Sequence, residues 1–199
     1  MKTRLFIMII MIIVLFCTAA GCFAADNFEP GIRTDADYTN ESLGIRIDLG
    51  KNYVMATEEE LREMMGVGID MLEVDIDSKI LEQAANYFDM MAANPNDGSS
   101  VMVMAEKLML SGITVDQYIE AYSKNMKDMY NAEVIEQGKE EFCGNEWNYA
   151  VYVFSVQNIS LEYVTYFLKA GNRVVSMTFS GLSDESLNNA FGLVSCYSH

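Results

Sequence analysis

The chain has 199 residues, 51% of them hydrophobic, with 13 basic against 29 acidic residues and a formal charge of −16. It is long enough to bury a core of its own and too apolar for disorder despite its charge, and so acidic a surface repels phosphate backbones, which sets nucleic acid aside as a partner. The single histidine is His199, the last residue, where fixed geometry is hard to keep; Ser-His-Asp catalysis, Cys-His catalysis and histidine metal sites are therefore not expected.

The amino terminus has the parts of an export signal: Lys2 and Arg4, the apolar run Leu5 to Phe16, then small residues at Thr18 to Gly21 and at Ala24-Ala25. Ala19-Ala20-Gly21-Cys22 resembles the lipobox of bacterial lipoproteins, with Ala19 where Leu is usual, and implies a lipid joined to Cys22. Cleavage after Ala20, Ala24 or Ala25 and an uncleaved span from Leu5 to Ala25 are the alternatives, and all three place the remainder outside the cytoplasm. Taking Lys2 and Arg4 from the 13 basic residues leaves 11 against 29 acidic ones in the exported part. Asp26 to Ala36 reads as a tether, so the expected organisation is a signal peptide over 1–21, a tether over 22–36 and one domain over 37–199.

Order is expected from near Tyr38. Ile45, Ile47 and Leu49 alternate with Arg46 and Asp48 as in a half-buried strand, and Gly50-Lys51-Asn52 turns into a short Tyr53 to Met55 strand, which predicts a local hairpin. Thr57 to Glu60 is a capping box opening a helix with Leu61, Met64, Met65, Ile69 and Leu72 on one stripe. The following acids Asp70, Glu73, Asp75 and Asp77 lack the glycine and the final glutamate of a calcium loop and read as a solvated face. Gly66-Val67-Gly68 lacks the third glycine of a dinucleotide fingerprint.

Tyr87 to Ala93 and Ser100 to Leu108 flank Asn94-Pro95-Asn96-Asp97-Gly98-Ser99, a hairpin with a long turn. Val101 and Val103 face one way and Met102 and Met104 the other, so this strand is apolar on both faces and belongs inside a sheet covered twice. Met90, Met102 and Met104 could offer thioethers to a soft metal, but methionine is also an ordinary core filler. A second capping box at Thr114 to Gln117 opens a helix reaching Tyr130, and Glu133 to Phe142 then extends.

Three strand-length runs follow, Trp147 to Gln157, Leu161 to Ala170 and Arg173 to Ser180, joined at Gln157 to Ser160 and at Gly171-Asn172 into an antiparallel meander. Trp147 and Tyr149 read as sheet packing or, alternatively, as an exposed ligand face. Ser183 caps a closing helix with Leu187, Ala190, Phe191 and Val194 on its stripe. Cys143 and Cys196, the cysteines of the folded part, can form a disulfide or remain two small buried thiols; their spacing leaves both open.

The early strands around Tyr38-Thr39-Asn40 and Gly44-Ile45-Arg46-Ile47, the capped Thr114 to Tyr130 helix, the Gly144-Asn145-Glu146-Trp147 approach to the meander and the closing helix together resemble a PsbP-like domain, over roughly residues 37 to 199. The chain also resembles small exported lipoproteins of Gram-positive type that carry such a domain. The resemblance implies an α+β fold, a single antiparallel twisted sheet with helices packed on both faces, in the form of an α/β/α sandwich. It implies a non-enzymatic binding or interaction module with no cofactor, catalytic residue or metal site, meeting a protein or cell-envelope component on the outer face of the membrane. The alternative is a carboxylate-based hydrolase of envelope glycans, which needs two facing acids in a cleft.

Overall fold

The computed structural model describes residues 28–65, 85–110, 112–156 and 159–197. Over these the chain forms β1 (Ile32–Arg33), β2 (Asp37–Asn40), β3 (Ile45–Asp48), β4 (Val54–Met55), α1 (Glu58–Met64), β5 (Asn86–Ala93), β6 (Ser100–Lys107), α2 (Val115–Tyr130), β7 (Glu133–Phe142), β8 (Asn145–Val156), β9 (Ile159–Ala170), β10 (Arg173–Gly181), α3 (Asp184–Phe191) and β11 (Val194–Cys196).

The expected meander forms the body of the molecule. β7 to β10 are successive antiparallel neighbours, with Tyr149 opposite Tyr166 and Met177 opposite the same Tyr166 on the next strand. The two-residue turn Gly171-Asn172 closes β9 onto β10, and Gly171 takes the positive φ of 62° that such a turn requires. β10 also pairs with β6, which puts the doubly apolar β6 inside a seven-stranded sheet of order β4-β5-β6-β10-β9-β8-β7. All three described helices begin with the caps expected from the sequence, at Thr57, Thr114 and Ser183.

The fold is mixed α and β, but it holds two antiparallel sheets and not one. β1, β2, β3 and β11 form a separate four-stranded sheet. An alternating strand such as Ile45 to Asp48 buries one face equally well at the edge of a large sheet or in a second layer, so its pattern does not separate the two arrangements. Nor is there a local hairpin at Gly50-Lys51-Asn52. That turn carries the chain from one sheet to the other, where Val54 pairs with Ala93, while β3 pairs with β2 and β11. The closing helix is shorter than its stripe suggested: Gly192 caps it, and the β-branched Val194 lies in β11 opposite Ile47.

One face of the large sheet, through Val101, Val103, Trp147, Val175, Met177 and Phe179, shares a core with Tyr38, Ile45 and Ile47 of the small sheet and with Leu187 and Ala190 of α3. The opposite face carries two further clusters. Tyr118, Ile119 and Met126 of α2 pack on Tyr152, Phe154, Tyr163 and Phe167, and Leu61 of α1 packs on Phe88, Met91, Met102 and Met104. The disulfide Cys143–Cys196, with Cα atoms 4.9 Å apart, ties the β7–β8 turn to β11 and so joins the two sheets covalently.

The strands of the large sheet define two ends. Asn86, Lys107, Ala170 and Arg173 lie at one, called here the near end, and Ala93, Ser100 and Gly181 at the other, the far end. The eight residues of β6 separate them by about 25 Å.

Candidate functional site

At the far end three loops converge on an open cleft of about 530 Å³. Leu49 to Tyr53 come from the crossing between the sheets, Asn94, Asn96 and Asp97 from the β5–β6 turn, and Ser183, Glu185, Ser186 and Asn189 from the start of α3. Turn chemistry supplies the polar lining: asparagine, aspartate and serine bond readily to nearby backbone, which suits them to turns and leaves amides and hydroxyls at the surface.

The loops are held together by hydrogen bonds between side chains far apart in sequence. Asp97 accepts from the backbone N–H and the hydroxyl of Ser99 (2.9 and 2.6 Å) and from Nδ2 of Asn189 on α3 (3.0 Å). The Tyr53 and Ser99 hydroxyls share a bond of 2.5 Å, fastening the sheet crossing to the same turn. Partial burial opposes ionisation of Asp97, but the bonds from Ser99 and Asn189 outweigh it and hold the carboxyl below the usual aspartate range. Ser186 Oγ accepts from the N–H groups of Leu182 and Ser183 (2.8 and 3.0 Å), so the helix start that forms the third wall is fixed internally.

A second group of polar residues lies between the layers. Asp89 sits at an irregularity of register between Phe88 and Met90, where β5 has one residue more than β6. The bulge directs its carboxylate toward the small sheet. There it accepts from Gly31 N–H (2.9 Å), the Tyr38 hydroxyl (2.5 Å) and the Asn40 amide (3.3 Å), at 1% exposure. Burial raises its pKa, and the three donors offset only part of that rise. Desolvation and the adjacent Asp89 charge likewise push the Tyr38 phenol up. This arrangement is closed to solvent and is a clasp between the sheets. Glu106 on the α2 side is also shifted up by burial, and it accepts from the Tyr118 hydroxyl (2.7 Å).

The sequence-derived candidates are distributed differently. Cys22, the acids at 70, 73, 75 and 77, the glycines at 66 and 68, and His199 all lie outside the described residues. Cys143 and Cys196 are joined to each other. Met90 faces the inter-sheet core, whereas Met102 and Met104 lie in the α1 cluster; all three are buried, which ends the soft-metal reading. Trp147 is fully buried and donates to the Phe142 carbonyl at 3.2 Å, so it belongs to packing and not to a ligand face. Tyr149 is half-buried, with its hydroxyl on Glu136 at 2.7 Å. Among the described residues no three His, Cys, Asp or Glu side chains converge as a metal site. The cleft residues were legible only as turns and a cap, because nothing in their spacing brings 51–53, 94–97 and 183–189 together.

No protein-family model matches the chain, and no curated protein matches it. Solved structures similar to it include the cyanobacterial PsbP protein of Synechocystis sp., at 10% identity and a TM-score of 0.49, covering 89% of this chain and 98% of that one. Another is LpqN of Mycobacterium tuberculosis, described as involved in cell envelope biogenesis, at 9% identity and a TM-score of 0.43, covering 77% and 83%. A Pseudomonas aeruginosa protein of unknown function is similar over 50% of this chain and 69% of its own, at 11% identity and a TM-score of 0.40. At such identities and scores none of these likenesses transfers an activity, ligand or location to this chain.

Proposed function

We propose that the protein is a non-catalytic binding module, exported and tethered to the outer face of the cell membrane through a lipid on Cys22, whose far-end cleft takes a small hydroxyl- and amide-bearing component of the cell envelope such as a glycan fragment. The observation that carries the reading is the lining of that cleft. Asn52, Asn94, Asn96 and Asn189 with Tyr53 and Ser183 supply neutral donors and acceptors around a volume in the range of small-molecule sites. The export signal and the Ala19-Ala20-Gly21-Cys22 sequence support the location and the tether.

Binding is favoured over cleavage by the state of Asp97. A glycan hydrolase needs one carboxyl that keeps its proton near neutral pH. Of the two acids that line the cleft, Asp97 and Glu185, Asp97 is shifted the other way and already engages three donors, which leaves Glu185 without a protonated carboxyl partner there, while the upshifted Asp89 and Glu106 line no part of the cleft. Titration of the isotope-labelled protein with peptidoglycan-derived oligosaccharides should shift resonances of Tyr53, Asn94 to Ser99 and Asn189 and leave the near end unmoved. Asn189→Ala should weaken binding about tenfold, the size expected for losing a polar contact. Release of reducing sugar that disappears in Asp97→Asn would replace this reading with the hydrolase. Retention of the Cys22→Ser chain on membranes would remove the tether.

A further inference from the structure

We infer that Met109 and Leu110, at the tip between β6 and α2, rest on the lipid surface to which the chain is tethered, so that the near end is a membrane-docking face; this rests on the tether at Cys22 proposed above. The two side chains are adjacent and 60% and 67% exposed. Exposed apolar residues are ordinary when scattered singly, but a pair at a strand-to-helix tip gives a compact apolar point.

The path of the chain says what covers it. The Phe28 ring packs edge-on against Tyr87 at 6.2 Å, and three residues later Gly31 donates to Asp89, so the segment runs along β5 from Tyr87 toward Asp89. Tyr87 is paired with Ala105, two residues before Lys107. The first described residues therefore enter from the near end, the end that carries the tip. Phe28 lies six positions after Cys22, and even a fully extended chain spans no more than about 20 Å over six steps. A lipid on Cys22 thus holds this end close to the bilayer.

Local charge agrees. Lys169 Nζ donates to the Ile113 carbonyl at 2.8 Å, bringing its charge beside the tip. In a chain with 13 basic and 29 acidic residues, the Lys169 ammonium here supplies the sign that lipid phosphates attract. Lys169 and Glu106 lie on either side of Val174, and the Glu106 carboxylate is engaged by the Tyr118 hydroxyl. An apolar point with a flanking lysine suits the interfacial layer, and the tether provides the local concentration that so small a contact needs. Docked in this way, the molecule presents its cleft away from the membrane, about 25 Å out.

The test uses the full lipidated chain carrying Leu110→Trp, reconstituted in phosphatidylcholine and phosphatidylglycerol vesicles whose acyl chains are brominated. Indole in contact with the interfacial layer is quenched, and the buried Trp147 serves as the internal reference. The added emission should fall roughly twofold on passing from plain to brominated vesicles, Met109→Trp should behave alike, and Val54→Trp, at the far end, should not change. A vesicle-bound chain with unquenched emission from both tip variants overturns the docking face and leaves the tether standing. If the chain is not retained, the tether has failed, and the same variants are then mixed with excess brominated vesicles. Quenching there supports the tip as a lipid contact in its own right, and its absence overturns it.

Discussion

The two ends of the large sheet are built from different chemistry. At the near end the β7–β8 turn is cross-linked to β11, the amino-terminal segment is seated by Phe28 on Tyr87, and Met109, Leu110 and Lys169 are exposed. At the far end the loops are joined by side-chain hydrogen bonds centred on Asp97 and Ser99, and the lining is rich in amides and hydroxyls, with Lys51, Asp97 and Glu185 as its charged groups. A covalent tie and buried aromatic packing fix position firmly. A network of partly exposed hydrogen bonds exchanges more readily with water and with a ligand. The difference suggests a firm base that carries an adaptable recognition edge.

Breaking the base should have the largest effect. The replacement of both Cys143 and Cys196 by Ser releases a constraint across 53 residues and should cost about 4 kcal/mol on the chain-entropy account. Urea unfolding would show the loss as a lower midpoint, while ligand affinity at the cleft stays within a factor of about two, which is below 0.5 kcal/mol. A tenfold loss of affinity would mean that the two ends are coupled.

Next comes the clasp between the sheets. Asp89→Asn places an amide among three donors and should destabilise by about 2 kcal/mol. Because burial raises the folded pKa of Asp89, its protonated form is favoured in the folded state, and the wild-type advantage over this variant should be largest in acid and shrink as pH rises through the folded value. Unfolding curves at several pH values would reveal the sign, and an advantage that grew with pH would contradict the buried placement.

Helix caps come third. Thr114→Ala, which removes the acceptor for Gln117 N–H at 3.2 Å, should cost about 1 kcal/mol and leave the cleft unaltered. The smallest change is expected at Asp97→Asn, below about 1 kcal/mol because the residue is partly solvated. Its pH dependence should be opposite to that of Asp89. The folded carboxyl lies below its usual range, so its contribution is present at neutral pH and lost as pH falls through the acid range. Ligand affinity, in contrast, should drop with this substitution because Asn189 loses the partner that orients it.

Local signals in the sequence carried a large part of the fold. The Gly171-Asn172 turn, the apolar two-sided run at Val101 to Met104, and the boxes at Thr57 and Thr114 each depend on residues within a few positions, and each formed as read. Sheet membership did not follow, since Ile45 and Ile47 bury the same face whether they border the large sheet or cover it. The β5 bulge was equally hidden: a single residue of slippage decides that Asp89 turns inward, and no pattern within Tyr87 to Ala93 announces it.

The sequence alone therefore determined most of the elements, the helix caps and the turn that closes β9 onto β10, and the acidic, almost histidine-free chemistry from which any site had to be made. Tertiary structure alone decided that there are two sheets, that Cys143 meets Cys196, and that three turns more than 130 residues apart at their extremes, from Lys51 to Asn189, share one cleft. The reason is range. Periodicity and capping are fixed by neighbours along the chain, whereas a cleft exists only once strand order has brought distant loops to the same end of a sheet.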